Sequence, residues 1–220
     1  MFVGHAAVAL AARSVRRDVP LGMFLVAAFG LDLIWPVLLL FGVERVSILP
    51  GATLFTPLVF TYYPWSHSLL MAAVWGMGLG LFAQGRGKGA GTLVAAVVVS
   101  HWALDVVTHG ADLPLWPGRS PLFGLGLWNS IAGTYLVEGA LFAFAVWLYL
   151  RATRARDRIG SVALIAWIAF MLGLWATSPF SPPPPSVPAV ACVTLGVWLL
   201  ILWGAWSDAH REPVTNAAVR

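Results

Sequence analysis

Residues 90–109 read AGTLVAAVVVSHWALDVVTH, and this segment decides what kind of molecule the chain makes. Its length matches the roughly 20 mostly apolar residues that a helix needs to cross the hydrocarbon of a bilayer. It nevertheless carries His101, Asp105 and His109 at steps of four residues. Side chains four apart lie on nearly the same helix face, so this span bears a polar stripe. Ionisable groups are costly inside a membrane and gather where a protein binds or reacts.

The rest of the chain agrees with the membrane reading. Of its 220 residues, 60% are hydrophobic and 10% charged, and the mean hydropathy is +0.84. A soluble domain is about 25% charged, so too few polar groups are present to coat a globule in water. The 12 Trp, 12 Phe and 22 Gly suit bilayer-spanning helices and their interfaces. A soluble enzyme, a disordered chain and a disulfide scaffold are thereby excluded, the last because Cys192 has no partner. The pI of 9.8 does not signal nucleic-acid binding. The net charge is only +4, and the basic residues lie in short clusters between apolar runs.

Six stretches are long enough to span: about Pro20–Phe41, His67–Ala83, Ala90–His109, Asn129–Leu150, Gly160–Thr177 and Pro188–Trp206. Met1–Ala12 is helical in character but too short, and its positive charges follow the apolar run, unlike a signal peptide. It is expected as a half-depth helix packed antiparallel to the first span. The fold class is therefore all-α, a polytopic membrane protein of six spans plus this short helix. Residues 1–118 form the part with the site, and residues 119–220 a three-helix segment of the same integral domain. Placing Arg13, Arg16 and Arg17 in the cytoplasm and alternating sides leaves eleven basic residues inside and two, Arg45 and Arg119, outside. That bias fixes the orientation, with both chain ends cytoplasmic in the cell (inner) membrane. The outer connections, Val43–Ser66 and Gly110–Trp128, are rich in Pro, Gly, Trp and Tyr and are expected to form a cap. Gly76 and Gly80 are spaced for close helix packing.

The ionisable residues of the spans can be placed individually. His5 lies eight residues from Arg13, about 12 Å along a helix, and Asp32 twelve residues beyond Pro20, about 18 Å. His67 opens the second span, and Glu138 lies nine residues into the fourth, about 14 Å down. Each has a bland explanation: a histidine bonded to a backbone carbonyl, an ion pair at Asp105, or Asp32 serving groups freed by the Pro36 kink. One divalent ion explains the set together, because imidazole and carboxylate are the ligands such ions take. Unpaired buried carboxylates would otherwise be penalised.

The order of short motifs then resembles a family. Gly4-His5, an Asp in the first long span, Ser66-His67-Ser68 and Ser100-His101 to Asp105 occur in sequence. They resemble the predicted membrane-bound metal-dependent hydrolases of bacteria, a family distantly similar to zinc-dependent phospholipase C. The resemblance covers about residues 1–118. It implies His5, Asp32, His67, His101 and Asp105 as metal ligands. Two features depart from the family pattern. Leu31-Asp32-Leu33-Ile34 offers one carboxylate where the family has a Pro-Asp-x-Asp pair, and Tyr62-Tyr63 replaces a His-Arg step. His109 and Glu138 are the available substitutes.

The resulting expectation is hydrolysis assisted by a divalent ion, Zn²⁺ first, with Glu138 or Asp32 as general base. The depth of the site suggests a lipid-borne phosphoester substrate in the bilayer, with Arg119 or Arg45 near its headgroup. Two alternatives use the same residues: a divalent-cation or proton transporter, and a membrane protein whose metal is purely structural.

Overall fold

The computed structural model describes residues 1–214, and Arg220 and the C-terminal chain end lie outside the described residues. The chain is mostly helical. Its helices are α1 (Phe2–Val15), α2 (Leu21–Ala28), α3 (Gly30–Leu40), α4 (Pro64–His67), α5 (Leu69–Ala83), α6 (Ala90–Thr108), α7 (Ile131–Ala152), α8 (Arg158–Thr177), α9 (Val187–Leu195) and α10 (Val197–Ala209).

Three antiparallel two-stranded ribbons join them, so the all-α expectation holds for the bundle and not for its connections. They are β1 (Arg45–Ile48) with β2 (Leu58–Tyr62), β3 (Leu113–Pro114) with β4 (Leu122–Phe123), and β5 (Thr153–Ala155) with β6 (Arg211–Pro213). The first two ribbons lie in the connections expected to form a cap.

The expected count of six spans is not met. Among the described residues four helical segments are long and apolar enough: Ala90–Thr108, Ile131–Ala152, Arg158–Phe180 and Val187–Ala209. A fifth is reached only if α2 and α3, bent by 51° at Phe29, count as one. The stretch His67–Ala83 fails because it is not one helix. Pro64 starts a four-residue turn of its own, Ser68 is extended, and α5 then runs for only 15 residues. Ser68 caps that helix by accepting a hydrogen bond from the Met71 N–H at 3.2 Å. In α3, Pro36 lacks an N–H and so removes the donor that the Asp32 carbonyl would have met.

One hydrophobic core runs through α1, α2, α6, α7, α8 and α10, with Phe24, Phe29, Phe142, Tyr149 and Trp167 almost wholly buried in it. A smaller cluster around Trp35, Tyr63 and Leu113 sits beneath the ribbons. The glycines of α5 work as their spacing suggested. A Cβ on Gly80 would come within 2.7 Å of the Gly91 carbonyl, and one on Gly76 within 2.9 Å of the Ala95 carbonyl. These contacts bring α5 and α6 together backbone to backbone.

Helix α1 is antiparallel to α2 and anchored at both ends. At its C-terminal end the Arg13 Nε donates to both Asp208 oxygens, at 3.1 and 3.0 Å. Asp208 also accepts from the Tyr149 hydroxyl at 2.7 Å and the Leu21 N–H at 3.1 Å. At the other end the Met1 amine is buried against Asp105 at 2.7 Å.

Removing one partner of a buried, hydrogen-bonded ion pair strands the other charge and costs about 3–5 kcal/mol. Asp208→Ala is expected to lower unfolding stability in detergent by that amount. Arg154→Ala, which breaks the exposed pair with Glu212, should change it by less than about 1 kcal/mol. Equal effects would contradict the anchor.

Candidate metal centre

Helix α6 supplies the centre of the site. Asp105 is almost fully buried, and its two oxygens face different ways. Oδ1 accepts from the Met1 amine at 2.7 Å and meets His5 Nε2 at 3.1 Å, which ties it to α1. Oδ2 lies 3.1 Å from His101 Nε2, 3.9 Å from His67 Nε2 and 4.0 Å from His109 Nε2. Asp32 Oδ1 adds contacts of 3.5 Å to His67 Nε2 and 3.8 Å to His101 Nε2.

Each of the three histidines around Oδ2 has its other ring nitrogen held by a hydrogen-bonding oxygen. His101 Nδ1 donates to the Ala28 carbonyl at 2.7 Å, beside the bend between α2 and α3. His67 Nδ1 meets Ser66 Oγ at 2.7 Å. His109 Nδ1 meets Asp112 Oδ1 at 3.1 Å. A hydrogen on Nδ1 leaves Nε2 a bare lone pair. Fixing a ligand histidine through its remote nitrogen is the usual arrangement behind a bound metal.

The observation that most favours a cation site is at His101. Its Nε2 is buried and has no hydrogen-bond partner among the described residues, although a carboxylate oxygen stands 3.1 Å away. A hydrogen on Nε2 would not be directed at that oxygen, so the approach is not a hydrogen bond. The lone pair of a bare Nε2 lies in that same direction, aimed past the oxygen, where a shared cation would meet both atoms. Ligand atoms each about 2.0–2.2 Å from one ion lie roughly 3–4 Å from one another, the range these contacts occupy. Two triads have ligand atoms within 4.8 Å of one another: His5, His101 and Asp105, and Asp32, His67 and His101. The donor set of imidazole and carboxylate fits a divalent ion and does not by itself choose among metals.

The structure thus brings together His5, Asp32, His67, His101 and Asp105, with His109 at the edge of the group. The His5 ring stacks on that of His101, centroids 3.6 Å apart, and its Nδ1 is buried without a partner. Asp32 is the accessible member. Its side chain is 28% exposed, against 4% or less for the others. Glu138 is turned elsewhere: its Oε2 accepts from the Gly4 N–H at 3.5 Å, at the start of α1, where a carboxylate complements the helix dipole. Arg45 and Arg119 are both exposed on the connections.

Sequence reasoning missed the groups behind the histidines. Glu44 and Asp112 are the only acidic residues in the expected outer connections, and one stands behind His67 and the other behind His109. Ser66 donates to Glu44 Oε2 at 2.6 Å and links that carboxylate to His67, while Ser68 provides the cap. Burial pushes the Glu44 carboxyl above its ordinary range, against the pull of Ser66. Burial and neighbouring Asp112 also push the Tyr63 phenol well above its usual value, so its hydroxyl keeps its proton and donates to Asp112 at 2.6 Å. No family model, curated protein or solved structure matches the chain.

A ligand that binds only the folded state stabilises it by about 2.7 kcal/mol at one hundred times its Kd. Zn²⁺ at that excess is expected to raise unfolding stability accordingly, and His101→Ala to abolish the rise. An equal rise in the variant would place the ion elsewhere.

Proposed function

We propose that the chain is a membrane-embedded metal-dependent hydrolase acting on a lipid-borne phosphoester, with Zn²⁺ the leading choice of ion. The observation that carries the metal reading is the unpartnered His101 Nε2 against Asp105 Oδ2, with the remote nitrogens of His67, His101 and His109 each held. The order of the His and Asp motifs, which resembles the bacterial membrane-bound metal-dependent hydrolases, supports the reaction class. The apolar helices around the site support a substrate drawn from the bilayer. Charge bias orients the protein in the inner membrane with the Arg13 end cytoplasmic, which sets the site toward the outer half.

His67, His101 and Asp105 hold the ion in this reading, with Asp32 beside it and not bound to it, His5 stacked behind His101 and His109 at the edge of the group. A divalent ion held there would supply Lewis acidity for activating a water near neutral pH and polarising an ester. Asp32 is the general base, because its carboxylate alone is both in the cluster and partly exposed. Glu138 holds the first turn of α1 and so keeps His5 in place. Arg45 directly follows Glu44, and with Arg119 it supplies positive charge for a phosphate headgroup on the ribbon side.

The test is release of product from phospholipids or polyprenyl phosphates in mixed micelles, read beside metal content. Wild type should contain a stoichiometric divalent ion and turn substrate over. Asp105→Ala should lose both. Asp32→Asn should lower kcat by about 10²–10⁴-fold, the usual contribution of a general base. A loaded protein that hydrolyses none of these esters overturns the hydrolase assignment. If it instead carries the ion across a liposome membrane, it is a transporter.

A further inference from the structure

Behind His67 runs a short relay that begins outside the helices. Glu44, between α3 and β1, is only 2% exposed. Its Oε1 accepts from the Trp65 and Ser66 N–H groups, each at 2.8 Å, and its Oε2 from the Ser66 hydroxyl at 2.6 Å. The same Ser66 Oγ lies 2.7 Å from His67 Nδ1. Three donors on one carboxylate is the pattern of an ionised acceptor.

A serine hydroxyl has one hydrogen to give. Three acceptors compete for it here: Glu44 Oε2 at 2.6 Å, a bare His67 Nδ1 at 2.7 Å and the Tyr63 carbonyl at 3.4 Å. The shortest, charge-assisted bond takes it. With its hydrogen spent on Glu44, Ser66 Oγ can only accept from the imidazole, so the proton of His67 sits on Nδ1. This opposes the local field. Asp32 Oδ1 and Asp105 Oδ2 lie 3.5 and 3.9 Å from His67 Nε2, and without Ser66 they would draw the proton to that nitrogen.

We propose that Glu44, acting through Ser66, is a positioning residue that holds His67 in its Nδ1-protonated tautomer and so keeps Nε2 free for an ion. The purpose rests on the metal reading above, but the tautomer itself can be read without any ion. In Glu44→Gln the amide nitrogen facing Ser66 donates where the carboxylate accepted, which turns the hydroxyl hydrogen toward His67 Nδ1. Ser66→Ala removes the acceptor altogether. Ser66→Thr keeps it.

The experiment labels the histidines with nitrogen-15 and records the metal-free protein in detergent above neutral pH, then titrates the same samples with Co²⁺. In wild type and Ser66→Thr, His67 should be protonated at Nδ1. In Glu44→Gln and Ser66→Ala the proton should move to Nε2, and the Kd for Co²⁺ should rise about 10–100-fold, as for other groups that orient ligand histidines. A merely structural Glu44 would leave the tautomer alone, and an unchanged His67 in Glu44→Gln overturns the proposal. If that variant does not fold, the Ser66→Ala and Ser66→Thr pair decides, and a tautomer common to both overturns it. A proton that moves as described in a protein that takes up no Co²⁺ leaves the relay standing and removes the metal reading.

Discussion

A carboxylate sealed among apolar helices has to be compensated, and Asp105 is the point at which this protein meets that requirement. Its two oxygens divide the task. Oδ1 is taken by groups of α1, the Met1 amine and His5. Oδ2 faces three imidazoles from α4, α6 and the end of α6. Each element near the site is shaped by reaching this carboxylate. The bend at Phe29 presents the Ala28 carbonyl to His101 and carries Asp32 to the same place. The separate turn Pro64–His67 brings His67 in from the side, where a continuous helix would have pointed it along α5.

Helix α1 shows how the two ends of the bundle are coupled. It is short and its core face is mostly Ala and Val, so apolar contact alone would let it slide. Buried charge pins it instead, at Asp208 through Arg13 and at Asp105 and Glu138 through its first turn. Because such groups tolerate little displacement before a charge is stranded, the depth of His5 is set at both ends of the helix. The close backbone approach of α5 to α6 through Gly76, Gly80 and Gly91 brings the start of α5 beside the stripe on α6.

Much of this was legible in the sequence, for physical reasons that also mark where legibility ends. The four-residue steps of His101, Asp105 and His109 fix their relation on a helix, and the structure places all three along one side of α6. His5, Asp32 and His67 could be nominated because charged or imidazole groups in greasy segments need partners. The breaks were harder to see. Mean hydropathy does not register that Ser68 ends one helix and begins another, or that Phe29 bends a span by 51°. The acceptors behind the histidines were missed because they are a backbone carbonyl and loop side chains, whose positions follow from tertiary folding and carry no local period. The pairing of Glu44 with His67 and of Asp112 with His109 had one available sign, the scarcity of acids in the outer connections.

X-ray absorption at the metal edge of the Zn²⁺-loaded protein tests the central claim most directly, since it reports the atoms around the ion whatever the reaction. The account requires a first shell of nitrogen and oxygen at about 2.0–2.2 Å with the outer-shell scattering of at least two imidazole rings, reduced by one ring in His67→Ala. A spectrum without imidazole scattering, or one indifferent to that substitution, would mean that the ion is not held by this cluster.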